Sequence, residues 1–413
     1  MSAGIRWRLS VMMFLEYMVW GSWYPVLSAY MERIGFSGIQ IGMIYSLLPV
    51  GCMIAPFIGG QLADRYVATE KLLAALHVAG GVVLCLTARM TSYESMLPLM
   101  FIWSMLYAPT LALTNSITFH HLPDAEKKFG LVRVFGTLGW IAVGLLLTAL
   151  RQVWPEPQGI PVLGGADSLW LGGALSVALG VFCLALPHTP PARKGDSPWA
   201  FLAALKLMRD PSFALFIAVA FVVATELMFY YVLTAPFLQT LGISSANIPA
   251  VMTIAQAAEI GTMVALPWML SRWGVRWTMA FGILAWPIRY AVFAYGQPTW
   301  LVVAALTLHG ICYVCFFVVS FIYVNSAASP DIRASAQAFI TFVTLGAGLY
   351  IGSIFAGWIR DHFTTGPAGA QAVNYTGVFL VPCVLTVICA VVFFLGFREK
   401  RAIAAVNYQD EAA

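Results

Sequence analysis

Residues 290–330 read YAVFAYGQPTWLVVAALTLHGICYVCFFVVSFIYVNSAASP and contain no Asp, Glu, Lys or Arg. A helix needs about 20 mostly apolar residues to cross the hydrocarbon core of a bilayer. Other uncharged stretches of more than that length cover 34–63, 95–123, 227–258, 334–359 and 362–397. Strands of an outer-membrane barrel would instead alternate over segments of about 10 residues. These stretches therefore predict an all-α polytopic membrane protein.

The composition agrees with this prediction. Of the 413 residues, 61% are hydrophobic and 10% are charged, whereas soluble domains carry about 25% charged residues. Soluble, disordered, collagen-like, coiled-coil and disulfide-rich secreted classes are excluded on this basis. The seven cysteines lie in apolar segments, and we interpret even the neighbouring Cys312 and Cys315 as buried apolar residues rather than a metal or disulfide site. The first apolar run carries Glu16 and has no cleavage pattern, so no signal peptide is predicted.

Twelve membrane spans are predicted, numbered one to twelve in chain order: 9–31, 38–63, 71–90, 95–118, 130–151, 167–187, 211–240, 247–270, 276–296, 299–326, 334–359 and 374–397. Sixteen Lys and Arg residues then fall on the side of the termini. Only Arg33, Arg89, Arg151 and Arg360 fall on the opposite side. Because basic loops stay in the cytoplasm, both termini are predicted to be cytoplasmic.

The connection 188–210 divides the chain into two halves of six spans. It begins with Pro187-His188-Thr189-Pro190-Pro191, and its apolar segment 199–208 ends in basic residues, which is typical of a helix lying in the membrane interface. The predicted organisation is an N-terminal bundle over 1–187, a cytoplasmic linker over 188–210 and a C-terminal bundle over 211–413.

A weak repeat relates the two halves. Gly60-Gln61-Leu62-Ala63-Asp64-Arg65-Tyr66 follows span two, and Leu270-Ser271-Arg272-Trp273-Gly274-Val275-Arg276 follows span eight. Parallel repeats of six spans are a known transporter plan. The first segment resembles the loop signature of the major facilitator superfamily, which implies that fold, with twelve transmembrane helices in two six-helix bundles. Asp64 and Arg65 are expected to belong to a cytoplasmic gate.

Five charged residues fall inside predicted spans, namely Glu16, Arg133, Glu226, Glu259 and Arg289. Such residues are costly in a bilayer and mark transport pathways by default. Arg289 lies near the outer end of its span, and we interpret it as a structural residue that reaches the interface. Glu226 is compatible with a cavity-facing or a structural role.

Residues three or four apart share a helix face. Four stripes result, in spans one, five, eight and ten: Glu16, Trp20 and Trp23; Arg133, Thr137 and Trp140; Gln256 and Glu259; His309, Tyr313 and Phe316. Rings for stacking together with fixed donors and acceptors suit a planar polar solute. Packing alone is the alternative for each stripe, and His309 alone is compatible with a satisfied buried histidine.

Proton coupling is predicted at Glu259 and Arg133. Arginine stays charged, whereas a carboxyl group can take up and release a proton. If one conformation binds proton and solute together, their fluxes are coupled. We expect the two charged side chains to lie in one water-accessible pocket and to determine its electrostatic potential.

The sequence resembles the nucleoside:proton symporter family of the major facilitator superfamily over nearly its whole length. The markers are Trp20-Gly21-Ser22-Trp23, Pro109-Thr110-Leu111 with Asn115, Arg133-Val134-Phe135-Gly136-Thr137, Gln256 with Glu259, Phe293-Ala294-Tyr295-Gly296, Ser329-Pro330 and Ile332-Arg333-Ala334-Ser335-Ala336-Gln337. The resemblance implies substrate contacts from Arg133, Thr137, Trp140, Gln256, Glu259 and Tyr313. We add Trp20, Asn115, Glu226, His309 and Phe316 to the predicted substrate-binding set.

The chain departs from that family's pattern at four positions. Met228 and Tyr231 stand where the bacterial permeases have Gln and Asn, His309 stands where they have Tyr, and Val314 stands where they have Asp. The substrate edge read by spans seven and ten is therefore expected to differ.

The prediction is a monomeric importer of nucleosides with protons, working by alternating access in a bacterial inner membrane. The proton is the coupling ion, and no cofactor, metal or nucleic acid is expected. The alternatives are a major facilitator exporter of drugs or amphiphiles, an importer of another small polar solute such as a sugar, and an intramembrane enzyme or sensor.

Overall fold

A computed structural model describes residues 3–55, 66–122, 125–154, 166–191, 200–329, 332–366 and 372–399. Its helices are Ala3–Trp23, Leu27–Arg33, Gly38–Ala55, Thr69–Thr87, Tyr93–His121, Ala125–Val153, Asp167–Cys183, Pro211–Thr240, Ile248–Tyr295, Thr299–Ala327, Arg333–His362 and Tyr375–Gly396. The linker holds a 3₁₀ helix, Ala200–Arg209, and Thr364–Thr365 pairs antiparallel with Ala372–Val373 before span twelve.

Within the described residues, nine helices are long and apolar enough to cross a membrane. The helix Ala3–Trp23 and the apolar helix Asp167–Cys183 account for spans one and six. The 48-residue helix Ile248–Tyr295 contains spans eight and nine, which meet at a kink. The helices therefore agree with twelve spans.

Two helices differ in continuity from the prediction. Span one is interrupted at 24–26, where Pro25 stands in a turn between Trp23 and Leu27. Proline has no N–H for the helical ladder, so the chain turns there. Between spans eight and nine, by contrast, only Gly274 leaves helical geometry, with φ at 72°. Glycine adopts this left-handed conformation without a Cβ clash, and the two spans are joined with no longer loop.

The chain divides into two compact units. The first contains 1–196, 230–253 and 353–361, and the second contains 197–229, 254–352 and 362–413. The first unit thus combines the predicted N-terminal bundle with the end of span seven, the start of span eight and the end of span eleven. The predicted domains, 1–187, 188–210 and 211–413, are consecutive segments of the chain, and their boundaries stay a prediction.

Polar contacts join the segments around Ser245 and Arg360 to the rest of the first unit. Arg151 binds the Asp167 carboxylate through two hydrogen bonds of 2.7 and 2.8 Å, and its Nη1 donates to the Ser245 carbonyl at 3.0 Å. Arg360 lies 2.7 Å from the Glu32 carboxylate. Two of the four arginines predicted on the outer side, Arg151 and Arg360, therefore bind carboxylates or a carbonyl within this unit.

Small residues bring spans two and eleven together in the first unit. A Cβ on Gly42 would overlap the Ser353 carbonyl oxygen, and one on Gly357 would overlap that of Gly38. Gly38 and Gly42 on span two are four residues apart, as are Ser353 and Gly357 on span eleven. This spacing of small residues lets membrane helices approach backbone to backbone. Asp361 accepts hydrogen bonds from the backbone N–H of Gly38, at 2.6 Å, and of the next residue, at 2.8 Å.

Removing the buried arginine of this network tests its contribution to stability. Arg151→Ala leaves the buried Asp167 without its cation, and breaking such a pair costs about 3–5 kcal/mol. We expect a clear drop in the melting temperature of the detergent-solubilised protein. Arg89→Ala is the matched control, because Arg89 is exposed and lies 5.5 Å from the Trp170 ring. Equal melting temperatures for the two variants would contradict the assignment.

Candidate functional site

Arg133 is held in the first unit by an aromatic face. Its Cζ atom lies 4.1 Å from the centre of the Tyr17 ring, and its side chain is half-buried. Within the part of the chain that the structure describes, no carboxylate lies within ion-pair distance of it. A cation over an aromatic ring is attracted by the ring's electron density. Arg133 therefore keeps donors available for another acceptor.

The aromatic residues around the predicted stripe of span five form one cluster in the same unit. The ring centres of Trp20 and Trp140 lie 5.3 Å apart, and the Tyr24 ring lies 5.4 Å from Trp20. Tyr231, which replaces an amide residue of the family pattern, lies 4.9 Å from Tyr24. Trp140 is 7% exposed, whereas Trp20 and Tyr231 are half-buried. Thus Tyr231 adds a ring where the family pattern has a polar side chain.

The remaining predicted polar residues of the first unit are half-buried. Thr137 follows Arg133 by one helical turn, and Asn115 lies in the helix Tyr93–His121. Asp64 and Arg65, the predicted gate pair, lie outside the described residues.

Glu16 and Trp20 lie on one predicted stripe, but only Glu16 is fully buried. Its carboxylate is fully buried, accepts a hydrogen bond from Thr110 Oγ1 at 2.7 Å and lies 2.8 Å from His77 Nε2. The Tyr107 hydroxyl donates to its backbone carbonyl at 2.8 Å. Glu16 is thus tied to spans three and four inside the unit.

Glu259 and Gln256 lie near one another on span eight, in the second unit. The Glu259 side chain is 18% exposed, and its Oε1 lies 3.3 Å from His309 Nε2. Gln256 is 5% exposed, and its Oε1 has no hydrogen-bond partner among the described residues. A buried acceptor without a partner is costly, so an amide here is suited to a donor from outside the chain.

The interpretation of Arg289 as an interfacial residue was wrong. Its side chain is fully buried in the second unit, with Nη1 2.9 Å from His309 Nδ1 and Nη2 3.2 Å from the Tyr290 hydroxyl. The helix face on which it lies points into the unit, and depth along the span alone could not reveal this. Glu226 is also fully buried, and its Oε1 is bound only by Thr225 at 3.3 Å among the described residues.

Span ten changes helix type at the predicted stripe. Tyr313–Val318 is π-helical, and such segments are frequent at functional sites. The rings of His309 and Tyr313 stack with centres 6.0 Å apart, and Tyr313 is half-buried. Phe316 is fully buried. The wider helix turn separates the last member of the stripe from the first two.

Comparison with known proteins places this arrangement in a family. The sequence model described as "Nucleoside H+ symporter" matches residues 3–402. The chain belongs to the nucleoside H+ symporter family. It is accordingly a multi-pass membrane transporter of the major facilitator fold and not an enzyme. The family's name implies coupling to protons.

Relatives of the nucleoside H+ symporter family cover nearly the whole chain. The putative nucleoside transporter YegT of Escherichia coli is 34% identical, over 98% of this chain and 96% of its own. The xanthosine permease of Escherichia coli is 31% identical, over 95% and 96%. The crystal structure of the nucleoside transporter NupG superposes with a TM-score of 0.84 at 27% identity, covering 97% of this chain and 100% of that one.

The departures from the nucleoside H+ symporter pattern fall into two kinds. Met228 and Val314 are fully buried apolar side chains at positions where the bacterial permeases have polar ones. Tyr231 and His309 instead contact neighbouring rings, Tyr24 and Tyr313 respectively. Sequence reasoning missed Tyr17 and His77, which contact Arg133 and Glu16 from other helices. A histidine within the apolar span three was the available signal for the partner of Glu16.

A double-mutant cycle tests whether Glu16 and His77 form a structural pair. Glu16→Gln and His77→Phe each remove one side of the 2.8 Å contact, so each should lower the melting temperature. We expect the double variant to lose less than the sum, with a coupling of about 0.5–3 kcal/mol, as for residues in contact. Strictly additive losses in purified protein would show that the two side chains do not interact.

Proposed function

We propose that this chain imports nucleosides together with protons across a bacterial inner membrane, with both termini in the cytoplasm and the monomer as the working unit. Family membership supports the substrate class, since the relatives are named nucleoside transporters and a xanthosine permease. The charge bias of sixteen to four supports the orientation.

The observation that carries the proposal is the partial exposure of Arg133 and Glu259 together with the contacts of their side chains. Each lies in a membrane span with a partly exposed side chain, and each has a ring partner in its own unit, Tyr17 for Arg133 and His309 for Glu259. Among the described residues, neither forms an ion pair with an oppositely charged group of fixed charge. Partly exposed charged side chains of this kind are available to substrate and solvent.

Recognition residues are proposed for each unit. In the first unit, Trp140 and Trp20 would stack on the base, and Thr137, Asn115 and Arg133 would bind its polar edges or the ribose. In the second unit, Gln256 and Tyr313 would contact the nucleoside, with Glu226 and Phe316 supporting the site. Glu259 would take up the coupling proton.

Replacing the proposed proton carrier should separate accumulation from exchange. In proteoliposomes, Glu259→Gln should lower pH-gradient-driven uridine accumulation by at least about tenfold, because the amide cannot bind the proton that couples the fluxes. Exchange of internal for external uridine should persist. Wild-type uptake competed by sugars but not by nucleosides would instead favour the transport of another polar solute.

Glu94→Gln is the matched control for this experiment. Glu94 is an exposed carboxylate at the start of the span-four helix, so its loss should leave accumulation unchanged. Full proton-driven accumulation by the Glu259 variant would remove that residue from the coupling role.

Alternating access requires that the contact between spans two and eleven can open and close. On the proposed topology, Gly38 and Asp361 lie at the outer ends of their spans, and the contact between them supports the proposal that these ends close the outer side. Gly42→Leu should oppose this closure, since overpacking costs about 1–3 kcal/mol. We expect uridine exchange to slow by about fivefold or more.

Gly261→Leu is the control for added volume in a helix. A Cβ at Gly261 would meet no atom within 4 Å, so exchange should be unaffected. Unchanged exchange in the Gly42 variant would show that this contact does not take part in the transport cycle.

A further inference from the structure

A line of polar side chains crosses the second unit from span seven to span eight. The Tyr290 hydroxyl donates to the Glu226 backbone carbonyl and accepts from Arg289 Nη2 at 3.2 Å. Arg289 Nη1 lies 2.9 Å from His309 Nδ1, and His309 Nε2 lies 3.3 Å from Glu259 Oε1. Arg289 and His309 are fully buried, so Glu259 is the accessible end of the line.

The contact with Arg289 determines which ring nitrogen of His309 carries the proton. A guanidinium group carries only donors, so the Nδ1 atom that faces Arg289 must present its lone pair. The ring proton then lies on Nε2, which faces the Glu259 carboxylate. An imidazolium, protonated on both nitrogens, would place two donors against each other at the Arg289 contact.

We propose that Arg289 is a positioning residue for the proton step: it holds His309 as the neutral Nε2–H tautomer, whose Nε2 lies 3.3 Å from the Glu259 carboxylate. The inference rests on the proposed role of Glu259 as proton carrier. It assigns His309 the role of a fixed neutral donor and excludes it as a second carrier.

Arg289 packs against two aromatic rings. Its Cζ lies 4.6 Å from the Trp286 ring centre and 4.9 Å from that of Tyr290. A direct Arg–Glu pair would strongly favour the ionised carboxylate. A neutral imidazole beside Glu259 adds no such positive charge next to the carboxylate.

Among the described residues, the titratable and charged groups around His309 come from spans seven to ten. Span eight contributes Glu259, span nine contributes Arg289 and Tyr290, and Tyr313 stacks on the ring from the same helix. Span seven contributes Glu226, through its carbonyl contact with Tyr290. Histidine itself titrates between pH 5 and 8 when nothing holds it neutral.

Solid-state ¹⁵N NMR of histidine-labelled protein in lipid measures the tautomer directly. The His309 signal is assigned by its loss in His309→Gln. In the wild type it should remain the neutral Nε2–H form from pH 8 to pH 5. In Arg289→Gln the same ring should become imidazolium within this range. A wild-type ring that carries its proton on Nδ1, or that titrates in this range, overturns the proposal.

Transport assays measure the consequence. With Nδ1 released in Arg289→Gln, the imidazolium would pair with Glu259 and hold it ionised, so acid-driven uridine accumulation relative to exchange should fall by at least about tenfold at pH 5. The double variant Arg289→Gln/His309→Gln should recover this ratio, because glutamine donates to Glu259 without titrating. A merely structural Arg289 would lower exchange and accumulation in parallel, and the second substitution would not restore the ratio.

The outcomes separate this inference from the proposed function. If wild-type protein shows no acid-driven uridine uptake but the NMR result holds, the proposed function fails and the tautomer assignment stands. If Arg289→Gln does not fold, His309→Phe replaces it. Loss of the Nε2 donor should then lower the accumulation-to-exchange ratio more than His309→Gln does, and equal ratios overturn the proposal.

Discussion

A charged side chain in the hydrocarbon region must be compensated by the protein itself, because lipid offers neither counter-charge nor hydrogen bonds. Five such residues organise this transporter. Glu16 and Arg289 are fully buried and engaged with polar neighbours, whereas Arg133 and Glu259 remain partly exposed beside rings. Glu226 is buried with a single side-chain hydrogen bond among the described residues. The division between engaged and accessible ions separates the groups that support the fold from those suited to transport.

The first unit contains two kinds of helix contact, one between buried aromatic rings and one between glycine backbones. Trp103 stacks on Tyr107 with ring centres 4.7 Å apart, inside the bundle and fully buried. The contact of spans two and eleven, in contrast, consists of glycine backbones and of the Asp361 hydrogen bonds. It contributes little buried aromatic area, and water can replace its polar partners when it separates. A contact of this kind is suited to repeated opening, whereas the aromatic interior is suited to permanence.

Hydropathy predicted the spans because membrane helices must be long, apolar and internally hydrogen-bonded. It could not predict the turn at Pro25 or the π-helical segment Tyr313–Val318, because both depend on packing and on local backbone geometry. Charge position led to the prediction of a site at Glu259, which stays a prediction, but it misjudged the burial of Arg289. A sequence gives depth in the membrane, while the direction of a side chain depends on neighbouring helices. The tyrosine beneath Arg133 was missed because aromatic residues are too common in spans to single one out.

A Glu–His pair occurs in both units, and the comparison explains why only one is suited to coupling. Glu16 is fully buried between His77 and Thr110, so no water reaches the carboxylate, and a change of its charge would have to be compensated inside the bundle. Glu259 is 18% exposed, and behind its histidine stands Arg289, whose donors fix the imidazole as a neutral partner. Proton uptake by Glu259 therefore changes charge at an accessible carboxylate while its buried partners keep theirs. The same two residue types thus stand in two different settings, and the difference lies in solvent access and in the group that contacts the ring.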